Sequence, residues 1–512
     1  MGATGQGAGV RRAPGVACVA PAAFGRAWIG IALLFATATV LLRLLAGPQT
    51  IDDAYISFVY ARHIADGQGF VFNPGDHVLG TTTPLYTLLL ALLYKITAIS
   101  LPSLSVGVAA LADGISFMLV HSLARYAGVS RIMALLAAIT ASSTPLSLFF
   151  ARSGMETSVI TCLTLLALWL FVSENEAGWG IACGVAVLVR PDAALLTGTL
   201  LLSQCWYRHA VPRRALAAIL AIPVPWLIWS TWYFGQPIPQ SVLAKSRMLY
   251  ATTIYDSART VGGDAASLLF GQASSPWGVA VFVVSWVIAW VEVGRLASVY
   301  HAILVFEALF ASSYAVSGAH AVGVEHWYLV PLIPLYSLTL WIAIGAICRH
   351  VRPALRTVAV IAAGTAIALA QSSGLSVATH GRFAVLPAAI SAPEREQAYW
   401  QACQALNPLS SKRTIVAAPE VGTMGYYCHA TILDTAGLIT RGVSRYYPVP
   451  ADQLVPGVGY AVPRQLIADT KPAYLVAFPA VIGRSVLRDP AFGHAYARLP
   501  IDAGGLMLFK RR

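Results

Sequence analysis

Two adjacent carboxylates, Asp52 and Asp53, stand in the stretch TIDDAYIS at positions 50–57, just past an apolar run and with no cation beside them. Neighbouring carboxylates repel, so keeping both ionised calls for an opposing metal ion or ammonium. At a membrane edge such a group can act as general base toward a hydroxyl. The plainer alternative is a solvated acidic cap. Further along stand Glu156 in SGMET, Arg190 and Asp192 in LVRPDAAL, Lys245 in YFGQPIPQSVLAKS and His326 in HWYLVPLIPLY. Lys and Arg grip phosphate through charge-assisted hydrogen bonds. Each of these residues also has an ordinary structural reading. Lys245 can snorkel, Arg190 can pair with Asp192 inside a broken helix, and Glu156 can favour a helix start. His326 can join Trp327 and Tyr328 in an interfacial belt. Tyr55, Phe58 and Tyr60 offer aromatic faces for sugar stacking or for core packing. His63 and His77 could join the aspartates around a metal, but spacing alone does not make them ligands.

The elements that must position these groups are membrane helices. The chain has 512 residues, 57% hydrophobic and 11% charged, with a mean hydropathy of +0.68. Soluble domains run nearer a quarter charged, so the class is a polytopic α-helical membrane protein. Spans read at about 27–46, 105–122, 132–149, 157–173, 214–234, 276–291, 297–316, 327–348 and 357–373. Residues 84–99 are apolar but short, and 178–207 are broken by Arg190-Pro191-Asp192.

The net charge of +12 is dispersed among loops, which argues against a nucleic-acid partner. Arg11, Arg12 and Arg26, then Arg208, Arg213 and Arg214, then Arg349, Arg352 and Arg356 mark the cytoplasmic side by the positive-inside tendency. Residues 1–26 read as a basic cytoplasmic tail, and 27–46 as an uncleaved signal anchor. The 47–83 loop, with Asp52, Asp53, Asp66 and Asp76 against Arg62 alone, then lies outside. If 84–99 lies in the interface instead of crossing, Arg125 and Arg131 fall inside. Splitting 178–207 into two short crossings gives about 11 spans, with 27–374 as the membrane domain. Broken helices of this kind need a shielding cavity, which is itself a pointer to a site.

From about 375 to 512 the chain reads as a small extracytoplasmic α/β domain, with short strands at TIVAA, TILDTAGL and KPAYLVAF. Cys403 and Cys428 both fall there. A disulfide between them is chemically allowed if the region is exported, and two free buried thiols are the alternative. No internal repeat of the kind found in many transporters is present.

The stretch from Asp52 through YARHIADGQGFVFNPGDHVLGTTTPLY resembles the first outer loop of GT-C glycosyltransferases, in the form DDAYISFRYA…G.GFVFNPGE.V.G.T.PL. SGMET, LVRPDAAL, YFGQPIPQSVLAKS, HWYLVPLIPLY and VGTMGYYCHATILDTAGL at 421–438 follow in the same order as further motifs of that family. The resemblance covers about 45–480 and is nearest to bacterial terminal arabinofuranosyltransferases. Leu79 stands where many relatives carry Glu, Val59 where many carry Arg, and His326 replaces the commoner Arg, so the resemblance implies the reaction class and leaves sugar and acceptor open.

The resemblance implies an inverting enzyme of the bacterial plasma membrane. It would take a sugar from a polyprenyl-phosphate donor and pass it to a glycan, lipid or protein hydroxyl on the outer face. In that reading Asp52, in preference to Asp53, is the base. The second aspartate and Glu156 orient the acceptor or hold Mg²⁺ or Mn²⁺. Tyr55 and Asp192 line the substrate site, and Lys245, Arg190 and His326 meet the departing phosphate. A transporter or flippase of lipid-linked sugars is the rival. It would want ionisable groups near the bilayer midplane, whereas these cluster in outer loops. A cell-wall scaffold whose C-terminal domain binds glycan is a second rival.

Overall fold

The computed structural model describes residues 26–246, 255, 258–259, 261, 268–269, 276–296, 300–320, 326–372, 394–455 and 460–512. The basic tail expected at 1–26 therefore lies almost wholly outside the described residues. The helices of the first half are α1 (Arg26–Ala46), α2 (Asp52–Ala65), α3 (Pro84–Thr97), α4 (Leu101–Tyr126), α5 (Arg131–Ser142), α6 (Pro145–Phe150) and α7 (Thr157–Val172). Then come α8 (Glu176–Val189), α9 (Ala193–Arg208), α10 (Arg213–Ala221), α11 (Pro223–Phe234) and α12 (Gln240–Ser246). The rest of the helical bundle is α13 (Pro276–Leu296), α14 (His301–His320), α15 (His326–Leu329), α16 (Leu332–His350) and α17 (Pro353–Ser372).

Among the described residues five helical stretches are long and apolar enough to cross a membrane by length and composition: 27–46, 101–126, 213–234 (α10 with α11), 332–350 and 353–372. Six shorter apolar helices accompany them. Their burial is uneven. The apolar window of α16 is 78% buried and that of α4 67%, whereas those of α1 and α17 are 22% and 11% buried. Leu34, Leu42 and Leu45 on α1 point away from the protein. In water that surface would be a large unfavourable term; in lipid it is the ordinary perimeter of a bundle. Small residues bring α1 against α4, since a Cβ on Gly114 would meet Val40 at 2.6 Å. Arg43 on α1 pairs there with Asp113 on α4 at 2.9 Å.

Residues 84–97 form a short apolar helix packed along α2. Helix α3 runs alongside α2: Thr83 meets Ser57 near its start, and Lys95 donates to the Ala65 carbonyl at 2.8 Å near its end. Leu101, opening α4, packs with Ala54, Tyr55 and Phe58 on the same α2. The chain thus enters and leaves this pair on one face of the bundle. Arg125 and Arg131 consequently join Arg213, Arg214, Arg349 and Arg352 at the opposite, basic end.

The break at 190–192 makes α8 and α9 an antiparallel pair. Glu176, opening α8, accepts from the Arg214 backbone N–H at 2.8 Å at the basic end. At about 21 Å and 24 Å, from 1.5 Å per residue, both helices are shorter than a hydrocarbon core. Their turn is recessed within the protein, where Arg190 is buried.

The C-terminal part opens with α18 (Glu394–Leu406) and continues through β1 (Ile415–Ala418), α19 (Gly422–Tyr427), β2 (Thr431–Asp434), β3 (Tyr474–Ala477), β4 (Tyr496–Arg498) and β5 (Met507–Arg511). The sheet has five strands in the order β2-β1-β3-β5-β4. β1 pairs in parallel with β2 and β3, and β5 runs antiparallel to β3 and β4. Alternation along the strands divides the residues between two faces. Val416, Tyr474 and Val476 face a cluster shared with Tyr60 of α2 and with Phe70 and Phe72 of the loop that follows it. Ala417, Leu475 and Ala477 face Phe492 and Phe509 on the other side. The strands expected at TIVAA, TILDTAGL and KPAYLVAF are present as β1, β2 and β3. Cys403 and Cys428 form a disulfide.

Candidate functional site

One helix separates the two aspartates. Successive residues of α2 point about 100° apart, so neighbours look different ways while residues three or four apart share a face. Asp53 and Ser57 line a cavity of ≈ 200 Å³, together with Thr81, Thr83, Glu156, Arg190, Asp192, Tyr314 and Tyr328. Asp52 and Tyr55 face the C-terminal sheet domain instead. Asp52 is 2% exposed, and its carboxylate accepts from the backbone N–H of Gly422 at 2.9 Å and of Thr423 at 2.8 Å. These are the first residues of α19, so Asp52 caps that helix from another part of the chain. Arg62, further along α2, donates to the Tyr426 and Gly425 carbonyls at 2.9 and 3.2 Å at the far end. An acid at the N-terminus and a cation at the C-terminus clamp one short helix. A Cβ on Gly422 would lie 1.8 Å from the Asp52 carbonyl oxygen, so only glycine permits this approach.

The preference for Asp52 as base, drawn from the sequence, therefore meets a buried carboxylate bonded to the start of α19; Asp53 is the aspartate on the cavity wall. Tyr55 is also away from the cavity lining. Its hydroxyl sits 3.2 Å from that of Tyr427, and its ring packs on Tyr426. The i, i+3 spacing that joins it to Asp52 is the reason.

The SGMET loop is stitched beside α2. Gln49 and Ile51 donate backbone N–H groups to the Arg152 and Ser153 carbonyls at 2.9 and 3.1 Å. Arg152 caps the end of α1 through the Ala46 and Gly47 carbonyls, both at 2.8 Å. Gly154 has φ +84°, and a Cβ there would press on Ala54 and Phe58 at 2.9 Å. This turn delivers Glu156 to the cavity. Burial pushes the Glu156 carboxyl up, against the Arg190 cation and with the help of Asp192 and Asp53.

Arg190 is a committed cation. It stands 3.8 Å from Glu156, forms a bidentate pair with Asp192, and donates to the Trp327 carbonyl at 3.3 Å and the Tyr314 hydroxyl at 3.2 Å. Tyr314 donates to Asp192 at 2.5 Å and stacks on Tyr328. This network closes the α8–α9 break against α14 and α15. Lys245 is one helical turn beyond Ser241, a cavity residue of α12, and His326 opens α15, whose Trp327 and Tyr328 line the cavity. The side chains of Lys245 and His326 lie outside the described residues.

Sequence reasoning passed over Ser57, Thr81, Thr83 and Tyr314. The threonines stood inside the quoted GTTTP stretch, while Tyr314 lies in an apolar span with no local signal. Among the described residues no three His, Cys, Asp or Glu side chains gather as a metal site. Asp53 and Glu156 share the cavity, but the Arg190 cation already faces Glu156. The set does not fit a divalent ion held by protein ligands alone.

No protein-family model matches the chain. It is 27% identical over 218 residues to the Terminal beta-(1->2)-arabinofuranosyltransferase of Mycobacterium tuberculosis, a match spanning 38% of this chain and about a third (34%) of that relative. Among solved structures it is similar to ArnT from Cupriavidus metallidurans bound to undecaprenyl phosphate, with a TM-score of 0.60 at 11% identity over 95% of this chain and 98% of that one. The Archaeoglobus fulgidus oligosaccharyltransferase aligns with a TM-score of 0.57 at 10% identity, over 94% of this chain and 73% of its own. The chain is a multi-pass membrane protein with the GT-C fold that these structures share.

Proposed function

We propose that the chain transfers one sugar from a polyprenyl-phosphate donor to an acceptor hydroxyl, with inversion, at the outer face of a bacterial plasma membrane. The observation that carries this is the position of Asp53: an acidic side chain opening on a cavity ringed by Glu156, Arg190, Asp192 and serine and threonine hydroxyls. Asp53 takes the acceptor proton as the acceptor oxygen bonds to the anomeric carbon. The bond from that carbon to the phosphate oxygen breaks, and the prenyl phosphate leaves with the electron pair. Glu156 and the hydroxyls of Ser57, Thr81 and Thr83 orient sugar and acceptor. Arg190 balances the acids and sets the field at the cavity wall, and its donors are largely engaged. Lys245 and His326 remain the expected partners of the departing phosphate, where fixed cations lower the barrier as charge develops.

Two features favour the outer face. Helix α16 begins beside Trp327 and Tyr328 at the cavity and ends at Arg349 and His350, about 28 Å away, close to a hydrocarbon thickness. The cavity and the basic loops thus sit at opposite ends of the bundle, and basic loops mark the cytoplasm. The Cys403–Cys428 disulfide suits an oxidising compartment. The donor class is supported by the shared fold of a protein that holds undecaprenyl phosphate. A charged head cannot sink into hydrocarbon while its tail will not leave it. A base at the boundary meets both.

The test is transfer from radiolabelled polyprenyl-phosphate sugars in membranes carrying Asp53→Asn. Loss of a general base costs about 10²–10⁴-fold. Transfer within tenfold of the parent chain, in protein that melts normally, sinks the assignment.

A further inference from the structure

At the basic end of the bundle, far from the cavity of Asp53, lies a second and larger one of ≈ 520 Å³. Its walls come from the α4–α5 connection and from α13, α16 and α17. They include Ser130, Ile132, Ile342 and Val360, with Arg349 and Arg356 at the rim. Two chemistries meet there. On one side Ile132, Ile347, Val358 and Ile361 are exposed apolar side chains on the bundle perimeter, Ile361 by 61%. On the other stands positive charge. Arg349 pairs with Glu292, and among the described residues Arg356 forms no ion pair. Arg356 uses two N–H groups on the Val351 and Arg349 carbonyls, at 3.1 and 3.0 Å, so its guanidinium is held in place at the end of α16. Arginine has five such donors. Ser130 also caps α5 here, and the positive end of that helix opens on the same space.

We propose that this cavity binds an anionic phospholipid of the membrane leaflet on the basic side, its phosphate on Arg356 and its acyl chains along the apolar flank. Charge complementarity selects the anionic headgroup, because a zwitterionic lipid brings its own cation to a rim that already carries one. The continuity of the cavity with the apolar perimeter selects a lipid over a soluble phosphate. Basic pockets between membrane helices take anionic headgroups by this combination. The inference is independent of the sugar-transfer reading, since no cavity residue is shared between the two sites.

The test is native mass spectrometry of the full chain from mixed micelles holding equal phosphatidylglycerol and phosphatidylcholine. The parent chain should retain phosphatidylglycerol preferentially. Arg356→Gln should weaken that retention about fivefold, the worth of one basic side chain near a charged surface. Arg356→Lys should restore most of it. Gly345→Leu fills the cavity without touching its charge, because a Cβ there meets only Met133 Sδ at 3.6 Å, and it should also release the lipid. Equal retention of the two lipids overturns the proposal, as does unchanged retention in Arg356→Gln. Displacement of the lipid by millimolar inorganic phosphate would replace the lipid with a soluble anion and overturn it too.

Discussion

Replacing Asp52 separates docking from chemistry. Its carboxylate accepts two backbone N–H groups, from Gly422 at 2.9 Å and Thr423 at 2.8 Å, in a buried setting. A hydrogen bond to a charged group contributes about 1.5–3 kcal/mol, and loss of a helix cap costs about 0.5–2 kcal/mol. The two bonds share one acceptor and are not additive, so Asp52→Ala should cost about 3 kcal/mol. Asp52→Asn keeps one oxygen acceptor but turns an N–H₂ toward a backbone donor, and should cost about 2 kcal/mol. Local opening of α19 then becomes easier. Since every 1.4 kcal/mol is about tenfold, amide exchange at Gly422 and Thr423 should quicken about a hundredfold in Asp52→Ala. Hydrogen-exchange mass spectrometry on the purified chain reads this directly, alongside sugar transfer. Asp52→Asn should retain measurable transfer where Asp53→Asn does not. If Asp52→Ala leaves exchange at 422–427 unchanged and still abolishes transfer, Asp52 belongs to the chemistry and the division of the pair is wrong.

Asp434 gives a pH signature. Burial pushes its carboxyl up to about 6, against the backbone donors of Ile439 and Ala436 that favour the ionised form. A carboxyl raised in the folded state adds stability that is complete below its unfolded value near 3.8 and fades as pH rises through about 6. Thermal melting of the full chain across pH 4–7 should show this fall, and Asp434→Asn should flatten it. Removing the Cys403–Cys428 disulfide by paired Ser substitutions opens a sequence separation of 25 residues, worth about 3 kcal/mol by chain entropy. A melting temperature unchanged on reduction or substitution would contradict an intact disulfide in the mature chain.

Some of the site was legible because its signals are local. Apolar runs, basic loops and the Arg190-Pro191-Asp192 break are properties of neighbouring residues, and each survives into the fold. The broken segment is the antiparallel α8–α9 pair, and the short apolar segment at 84–99 lies along α2. The aspartates resisted because they are one residue apart. A step of one along a helix turns a side chain by about 100°, and nothing in TIDDAYIS states which direction is the cavity. Tyr55 lies away from the cavity lining for the same reason. Tyr314 was invisible because it meets Arg190 and Asp192 only through the packing of α14 on α9, more than a hundred residues apart.

The sequence alone determined that this chain lives in a bilayer, which loops carry its charge and which segments hold its candidate site residues, since solvation energies act residue by residue. Tertiary structure decided which way each group faces. The docking of α19 on α2 buries Asp52 against the N-terminus of that helix and leaves Asp53 on the cavity wall, because neighbouring residues of a helix point about 100° apart.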